Sequence, residues 1–434
     1  MGMARAAQRW GLPDVRGQWP LVWTMVIDAL GTGLFLPFTI LYFLATTRLG
    51  VAQIGLALAV AGALALPLGP LCGAFADRFG PRPVVIASNL ARAAGFAAYL
   101  EVRSFPALLA ASLAVQAGNR AYWSCYVPLV AQIAPAGQRE RWFGFISAVR
   151  NIGFALGGVV AGVAVTGGGV LAYHVVVLGN AASFLLAGLL VMRIRLAPRP
   201  SPEHQEGAGG GWRDVLADRP YLMLTAVNTL FALASTALDV VLPVYLVHVL
   251  ALPAWTAGVS FGLLCVLVAF AQGPVVARIE GRGRIRMLVL AGLLTAVSAL
   301  VFLAAEPFPA VIAVAIVGAG VVLFAAGELI QVPVMNALSA EAAPEALRGR
   351  YVATFQLSWA VVSSGGVAVL SWLISLGPPA AWGFLAAIAV AGSAGIGAVG
   401  KHLGAAAEAQ RPAAPQGDPG GDGAARTCPG PGGG

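Results

Sequence analysis

Six ionisable side chains stand in otherwise apolar stretches of this 434-residue chain: Asp28, Arg92, Arg120, Arg150, Asp239 and Glu328. Each costs about 2.5 to 3.5 kcal/mol at the centre of a bilayer, so each needs a partner or a watery cavity. A carboxylate so placed can bind and release a proton as its surroundings change, which is the chemistry of ion coupling. The alternative is a set of internal ion pairs, with Asp28 held by Arg120 or Arg150. Glu328 has no intramembrane arginine in its own half to pair with. Tyr122, Trp123 and Tyr126 flank Arg120 and can serve either as contacts for an amphipathic substrate or as packing.

Other chemistries are excluded by the residues present. Lys401 is the one lysine, so there is no phosphate-binding G-x-x-x-x-G-K-[ST] loop. His174, His204, His248 and His402 are dispersed, and Cys72, Cys125, Cys265 and Cys428 show no CxxC spacing. The reading is therefore no enzyme, no cofactor, no metal site and no disulfide. The formal charge of +8 is carried by basic residues scattered between apolar runs, which argues against nucleic acid as a partner.

The elements that must position these groups follow from composition. Hydrophobic residues make up 59% of the chain and charged residues 10%, against roughly a quarter charged in soluble domains. A membrane-spanning helix needs about 20 apolar residues. Twelve segments qualify, near 21–45, 52–75, 83–101, 105–132, 142–166, 170–192, 221–248, 254–277, 286–304, 308–337, 351–376 and 379–400. Arg5, Arg9 and Arg16 precede the first, which carries Asp28 and lacks a small-residue cleavage site, so it is read as a retained helix.

The polar, Pro- and Gly-rich stretch 193–219 separates two groups of six helices, 21–192 and 220–400. Residues 1–20 form an N-terminal segment, and residues 401–434 compose a tail expected to be disordered. With the amino terminus inside, cytoplasmic segments hold 21 of the 26 basic residues and external ones only Arg48 and Arg103. The positive-inside rule thus predicts both termini in the cytoplasm of a multi-pass cell-membrane protein. The halves also repeat: Ala134-Pro135 to Arg141-Trp142 is echoed by Ala343-Pro344 to Arg350-Tyr351, and Gly73 to Arg82 more weakly by Gly273 to Arg282. Such repeats suggest a transporter with its site between the halves.

The segment Gly73-Ala74-Phe75-Ala76-Asp77-Arg78-Phe79-Gly80-Pro81-Arg82 resembles the loop signature of the major facilitator superfamily, G-x-L-a-D-R-x-G-R/K-R/K. In helix 5, Gly153, Gly157, Gly158 and Gly162 resemble the glycine motif of the family's drug/proton antiporter branch, with Gly158 at its proline position. The same glycines also suit plain helix packing.

The resemblance implies an all-α membrane protein with twelve transmembrane helices in two pseudo-symmetric six-helix bundles. It implies that Gly73, Asp77, Arg78, Gly80 and Arg82 form a latch, with Asp77 meeting the amino-terminal end of helix 11 near 349–353 when the cytoplasmic side closes. It further implies that helices 1, 4, 7 and 10 line the cavity, each carrying one of Asp28, Arg120, Asp239 and Glu328. At 1.5 Å per residue, Asp28 and Glu328 lie near mid-depth and Asp239 near the outer face. Asp28 and Glu328 are thus the first candidates for proton coupling, with Arg120, Asp239 and Arg150 around them.

The expected function is alternating-access transport of a small or amphipathic solute, with proton-coupled efflux as the leading version and protons, the substrate and the lipid bilayer as partners of a monomer. An importer or facilitator of the same fold, or a polytopic receptor or scaffold without transport, are the alternatives.

Overall fold

The computed structural model describes residues 18–133, 139–166, 169–194, 212–279, 282–342 and 348–409, and every regular element among them is helical. Hydrocarbon offers the backbone no hydrogen-bond partner, so each apolar run closes its own ladder as a helix. The first half holds α1 (Trp19–Thr46), α2 in two rods (Val51–Leu64 and Leu68–Phe79), α3 (Pro81–Tyr99), α4 (Phe105–Ile133), α5 (Arg139–Thr166) and α6 (Val170–Val191). A short helix, Trp212–Ala217, precedes the second half.

That half holds α7 (Arg219–Val249), α8 (Trp255–Ile279), α9 (Arg284–Leu303), α10 (Ala310–Ala342), α11 from Arg348 to Leu376, and α12 (Pro378–Ala409). The last helix thus runs nine residues past the expected end at 400.

Among the described residues, nine of these spans are long and apolar enough to cross a bilayer unaided. The other three, α2, α3 and α4, complete the twelve. Asn89 and Arg92 dilute the apolar character of α3, and Gln116, Asn119 and Arg120 that of α4. Side chains such as Val311, Leu171 and Phe270 are 85%, 76% and 70% exposed, a surface that only lipid can solvate.

The two halves repeat each other in detail. The Tyr42 hydroxyl at the end of α1 donates to the Tyr99 carbonyl at 2.9 Å. In the second half the Tyr245 hydroxyl donates to the Phe302 carbonyl at 2.7 Å, with the same spacing of 57 residues. Each tyrosine is fully buried within an aromatic cluster, with Phe35, Phe43 and Tyr99 around the first and Phe302 and Trp382 around the second.

Helices of the walls are not regular. Pro37, which cannot donate to the ladder, sits where α1 tightens into a 3-10 turn at Leu36–Phe38. Residues Val362–Gly366 of α11 form a π-helical turn.

The halves meet along two seams, α5 on α8 and α2 on α11. The helix-5 glycines serve both directions. Gly153 and Gly157 admit α1, lying against Ala29 and against Leu30, Gly33 and Leu34 of the same half. Gly158 and Gly162 admit α8 of the other half, lying against Gly258, Phe261 and Trp255. On the second seam, Gly62 of α2 lies against Ser363 and Ser364 of α11.

These contacts lie from mid-depth to the ends remote from the linker. At the linker end, no other described element comes within 4 Å of where a side chain on Gly73 or Gly80 would begin.

A side chain at Gly258 would fall on the Gly158 backbone, so Gly258→Val should push the seam apart and disfavour this state. Spin labels at the exposed positions Val163 and Val259 report the outcome. The expected result is a longer inter-label distance in the valine variant, and an unchanged distance would contradict the seam's role.

Candidate functional site

A cavity of about 340 Å³ lies between the halves. Its walls come from α1 (Thr32, Phe35, Thr39), α4 (Gln116, Asn119), α6 (Asn180, Phe184), α7 (Thr236, Asp239) and α11 (Trp359, Ser363). The irregular turns of α1 and α11 both contribute, through Leu36 and through Val362 and Ser363. The lining is chiefly apolar and aromatic, with amides and hydroxyls placed singly. Among the described residues that line it, Asp239 is the one carboxylate, and none is lysine, arginine or histidine. Such a chamber holds an apolar body and favours a positive charge on it.

Asp28 does not face this cavity. It is buried and paired with Arg92 of α3, with a nitrogen to oxygen distance of 3.0 Å. The expected partners of Asp28, Arg120 and Arg150, are engaged elsewhere. Arg92 wins because α3 packs on α6, and its guanidinium is clamped between the rings of Tyr122 and Phe184, 4.4 and 4.2 Å from their centroids. It also donates to Asn89 Oδ1 at 2.7 Å, while the Asn89 amide donates to the Val85 carbonyl. The link to Asp28 is ionic rather than a well-aligned hydrogen bond, since Asp28 Oδ1 and Arg92 Nε complete none. Tyr122, 3% exposed, is thereby committed to packing against Arg92 and Met25.

Arg120 reaches across the molecule. From α4 it donates to Ser363 Oγ at 2.7 Å, with Ser364 Oγ at 3.5 Å, both in the π-helical turn of α11. Arg150 lies over the rings of Trp123 and Phe154, at 4.5 and 5.2 Å. Trp123 remains 47% exposed. The side chain of Tyr126 lies outside the described residues.

In the second half, Glu328 lines a small void with Phe231, Ser235, Thr295, Phe324 and Gln331. The Ser235 hydroxyl hydrogen-bonds its carboxylate. One turn away, Gln331 approaches Asn228 Oδ1 at 3.5 Å, and Asn228 donates to Ser358 Oγ at 2.6 Å, tying α10, α7 and α11 together. Asp239 follows Ser235 by four residues on α7, and the two carboxylates are close enough to feel each other's charge. Neither has an ion-pair partner among the described residues. Asp239, on one of the helices expected to line the cavity, forms part of its wall.

Of the loop residues, Gly80 has φ +89°, a conformation open to glycine, and joins α2 to α3. Arg78 is exposed and lies over the Phe79 ring at 5.2 Å, and Arg82 is half-buried. The Asp77 side chain and the start of α11 at 348–349 lie outside the described side chains.

Sequence reasoning passed over Gln116, Asn119, Asn180 and Ser363 as cavity residues and Arg92 as the partner of Asp28. The usable signal was polar residues one turn apart in apolar helices, such as Asn89 before Arg92 and Gln116 before Asn119 and Arg120.

With one partner of Asp28–Arg92 removed, the other charge is left alone in hydrocarbon, at a cost of about 3 to 5 kcal/mol for a buried pair. Thermal unfolding in detergent should show Asp28→Leu and Arg92→Met each strongly destabilised. The double variant should recover most of the loss. Additive losses in the double variant would mean that the pair does not act as a unit.

A family model described as Major Facilitator Superfamily matches residues 21–367. The chain is 26% identical over 373 residues to Multidrug resistance protein MdtH of Edwardsiella ictaluri (strain 93-146), covering 82% of this chain and 88% of that one. It is 26% identical over 388 residues to Multidrug resistance protein MdtH of Shigella boydii serotype 4 (strain Sb227), covering 87% and 90%. Among solved structures it resembles nucleoside transporter NupG, with TM-score 0.67, 14% identity and coverage of 88% and 98%. It also resembles a POT family transporter in complex with 5-aminolevulinic acid, with TM-score 0.69, 15% identity and coverage of 91% and 99%.

Proposed function

The chain belongs to the major facilitator superfamily and is a membrane transporter, and from that premise we propose that it exports small amphipathic cations in exchange for protons. The observation that carries the reading is Asp239, the one carboxylate among the described lining residues of an otherwise apolar chamber between the halves. Efflux is supported by the relatives named multidrug resistance proteins. The distribution of basic residues supports a cytoplasmic linker and cytoplasmic termini. With the seams between the halves on the side away from the linker, the chamber is read as opening inward, where a cytoplasmic compound enters. Each monomer encloses its own chamber.

Proton coupling falls to the second half. Asp28 is neutralised by Arg92, whereas Asp239 and Glu328 have no cation beside them among the described residues. A cation arriving at Asp239 favours the ionised form of both carboxylates, and the proton leaves toward the open side. Closure of the linker side would bring the 73–82 loop toward the start of α11, while the α5/α8 and α2/α11 seams part. With the chamber open outward, a proton rebinds the carboxylates and the cation departs. Protons and cation thus move in opposite directions over one cycle.

The test is flux of a fluorescent lipophilic cation in proteoliposomes with an imposed pH gradient. Asp239→Asn should weaken cation binding by about tenfold to a hundredfold, the worth of a charge-assisted contact. Glu328→Gln should leave binding measurable and abolish acceleration by the gradient. Carriage of a neutral analogue as fast as the cation, with Asp239→Asn unimpaired, would overturn the substrate reading. Flux indifferent to the gradient in the parent protein would make it a facilitator, and binding without flux a receptor.

A further inference from the structure

Outside the chamber, a second hollow of about 430 Å³ opens on the first half among α2, α3 and α4. Its lining is almost wholly apolar, with Leu71, Cys72 and Phe75 on one side, Val84, Ala87 and Ala91 on the other, and Gly118 at the floor. Gly118 lets α3 approach closely, since a side chain there would meet the Ser88 carbonyl and Arg92. None of the residues of this hollow lines the chamber.

Three features distinguish it from ordinary lipid-facing surface. Leu71, Phe75 and Phe79 recur every four residues and are 63%, 51% and 56% exposed, a continuous apolar edge along α2. The hollow runs from Pro83 to Ala91 on α3, roughly 12 Å at 1.5 Å per residue. That length approaches the hydrocarbon depth of one leaflet, about 15 Å. At its linker end stand two cations, the exposed Arg78 one turn beyond Phe75 and the half-buried Arg82 beside Pro83.

From this arrangement we infer that the groove binds an anionic phospholipid of the linker-side leaflet, with one acyl chain in the hollow and the phosphate between Arg78 and Arg82. Arginine suits this role because its planar fork matches phosphate oxygens and its long stem reaches the interface. A zwitterionic lipid would fill the same hollow without the net attraction. The inference does not depend on which solute the transporter carries.

The full-length protein is equilibrated in micelles with equal amounts of phosphatidylglycerol and phosphatidylcholine bearing the same acyl chains, and retained lipid is counted by native mass spectrometry. Phosphatidylglycerol should be retained preferentially, and Arg78→Ala and Arg82→Ala should each reduce that preference by about fivefold. Ala87→Phe, which fills the hollow from an exposed position, should reduce retention of both lipids. Both arginines sit on described, accessible surface, so their variants test the headgroup contact even if the filled groove perturbs folding. Equal retention of the two lipids by the parent protein would overturn the inference. So would a preference that survives the double arginine substitution, because the lipid would then be bound elsewhere.

Discussion

Hydrocarbon solvates neither an amide nor a charge, and this constraint orders everything from the helices to the chemistry of the cavity. The backbone answers it locally, by closing each span as a helix. Side chains must answer it in three dimensions. Asp28 does so by meeting Arg92, and Arg92 does so by adding two aromatic faces and an asparagine. That cluster ties α1, α3, α4 and α6 into one body. The first half is therefore stiffened by the same charges that, unpaired, would have been available for coupling.

The second half repeats the fold without repeating this solution. Tyr245 reproduces the bond of Tyr42 across an equal span of chain, so the scaffold is shared. Glu328 has a serine where Asp28 has an arginine. Asparagine, glutamine and serine cross-link α7, α10 and α11 with neutral hydrogen bonds instead. The buried carboxylate of the first half is paired with an arginine, whereas Asp239 and Glu328 of the second have no ion-pair partner among the described residues.

The number of helices and the two halves were legible because apolar length is a property of the chain in one dimension. The approach of α5 to α8 was only half legible. The glycines of α5 announce close packing, but Gly153 and Gly157 face α1 while Gly158 and Gly162 face α8. Neighbouring positions on a helix point 100° apart, and nothing local says which neighbour stands in each direction. The partner of Asp28 was hidden for the same reason. Arg92 lies on a helix outside the four expected to line the cavity, and only the rotation of α3 about its axis turns it toward Asp28.

Arg120 connects the two themes. It belongs to the first half, yet its hydrogen bonds end on Ser363 and Ser364 of the second. Ser363 also lines the chamber, and both serines pack against Gly62 where α2 meets α11. The π-helical turn that carries them widens the ladder at that point, a local irregularity of the kind that concentrates at functional sites. Occupancy of the chamber, the arginine bridge and the α2/α11 seam thus share one turn of helix. If the seam parts on the face opposite the linker, the bridge must lengthen or break, and Ser363 changes its place in the wall. A ligand in contact with that wall therefore has different contacts in the two states, which is the condition for its binding to shift the balance between them.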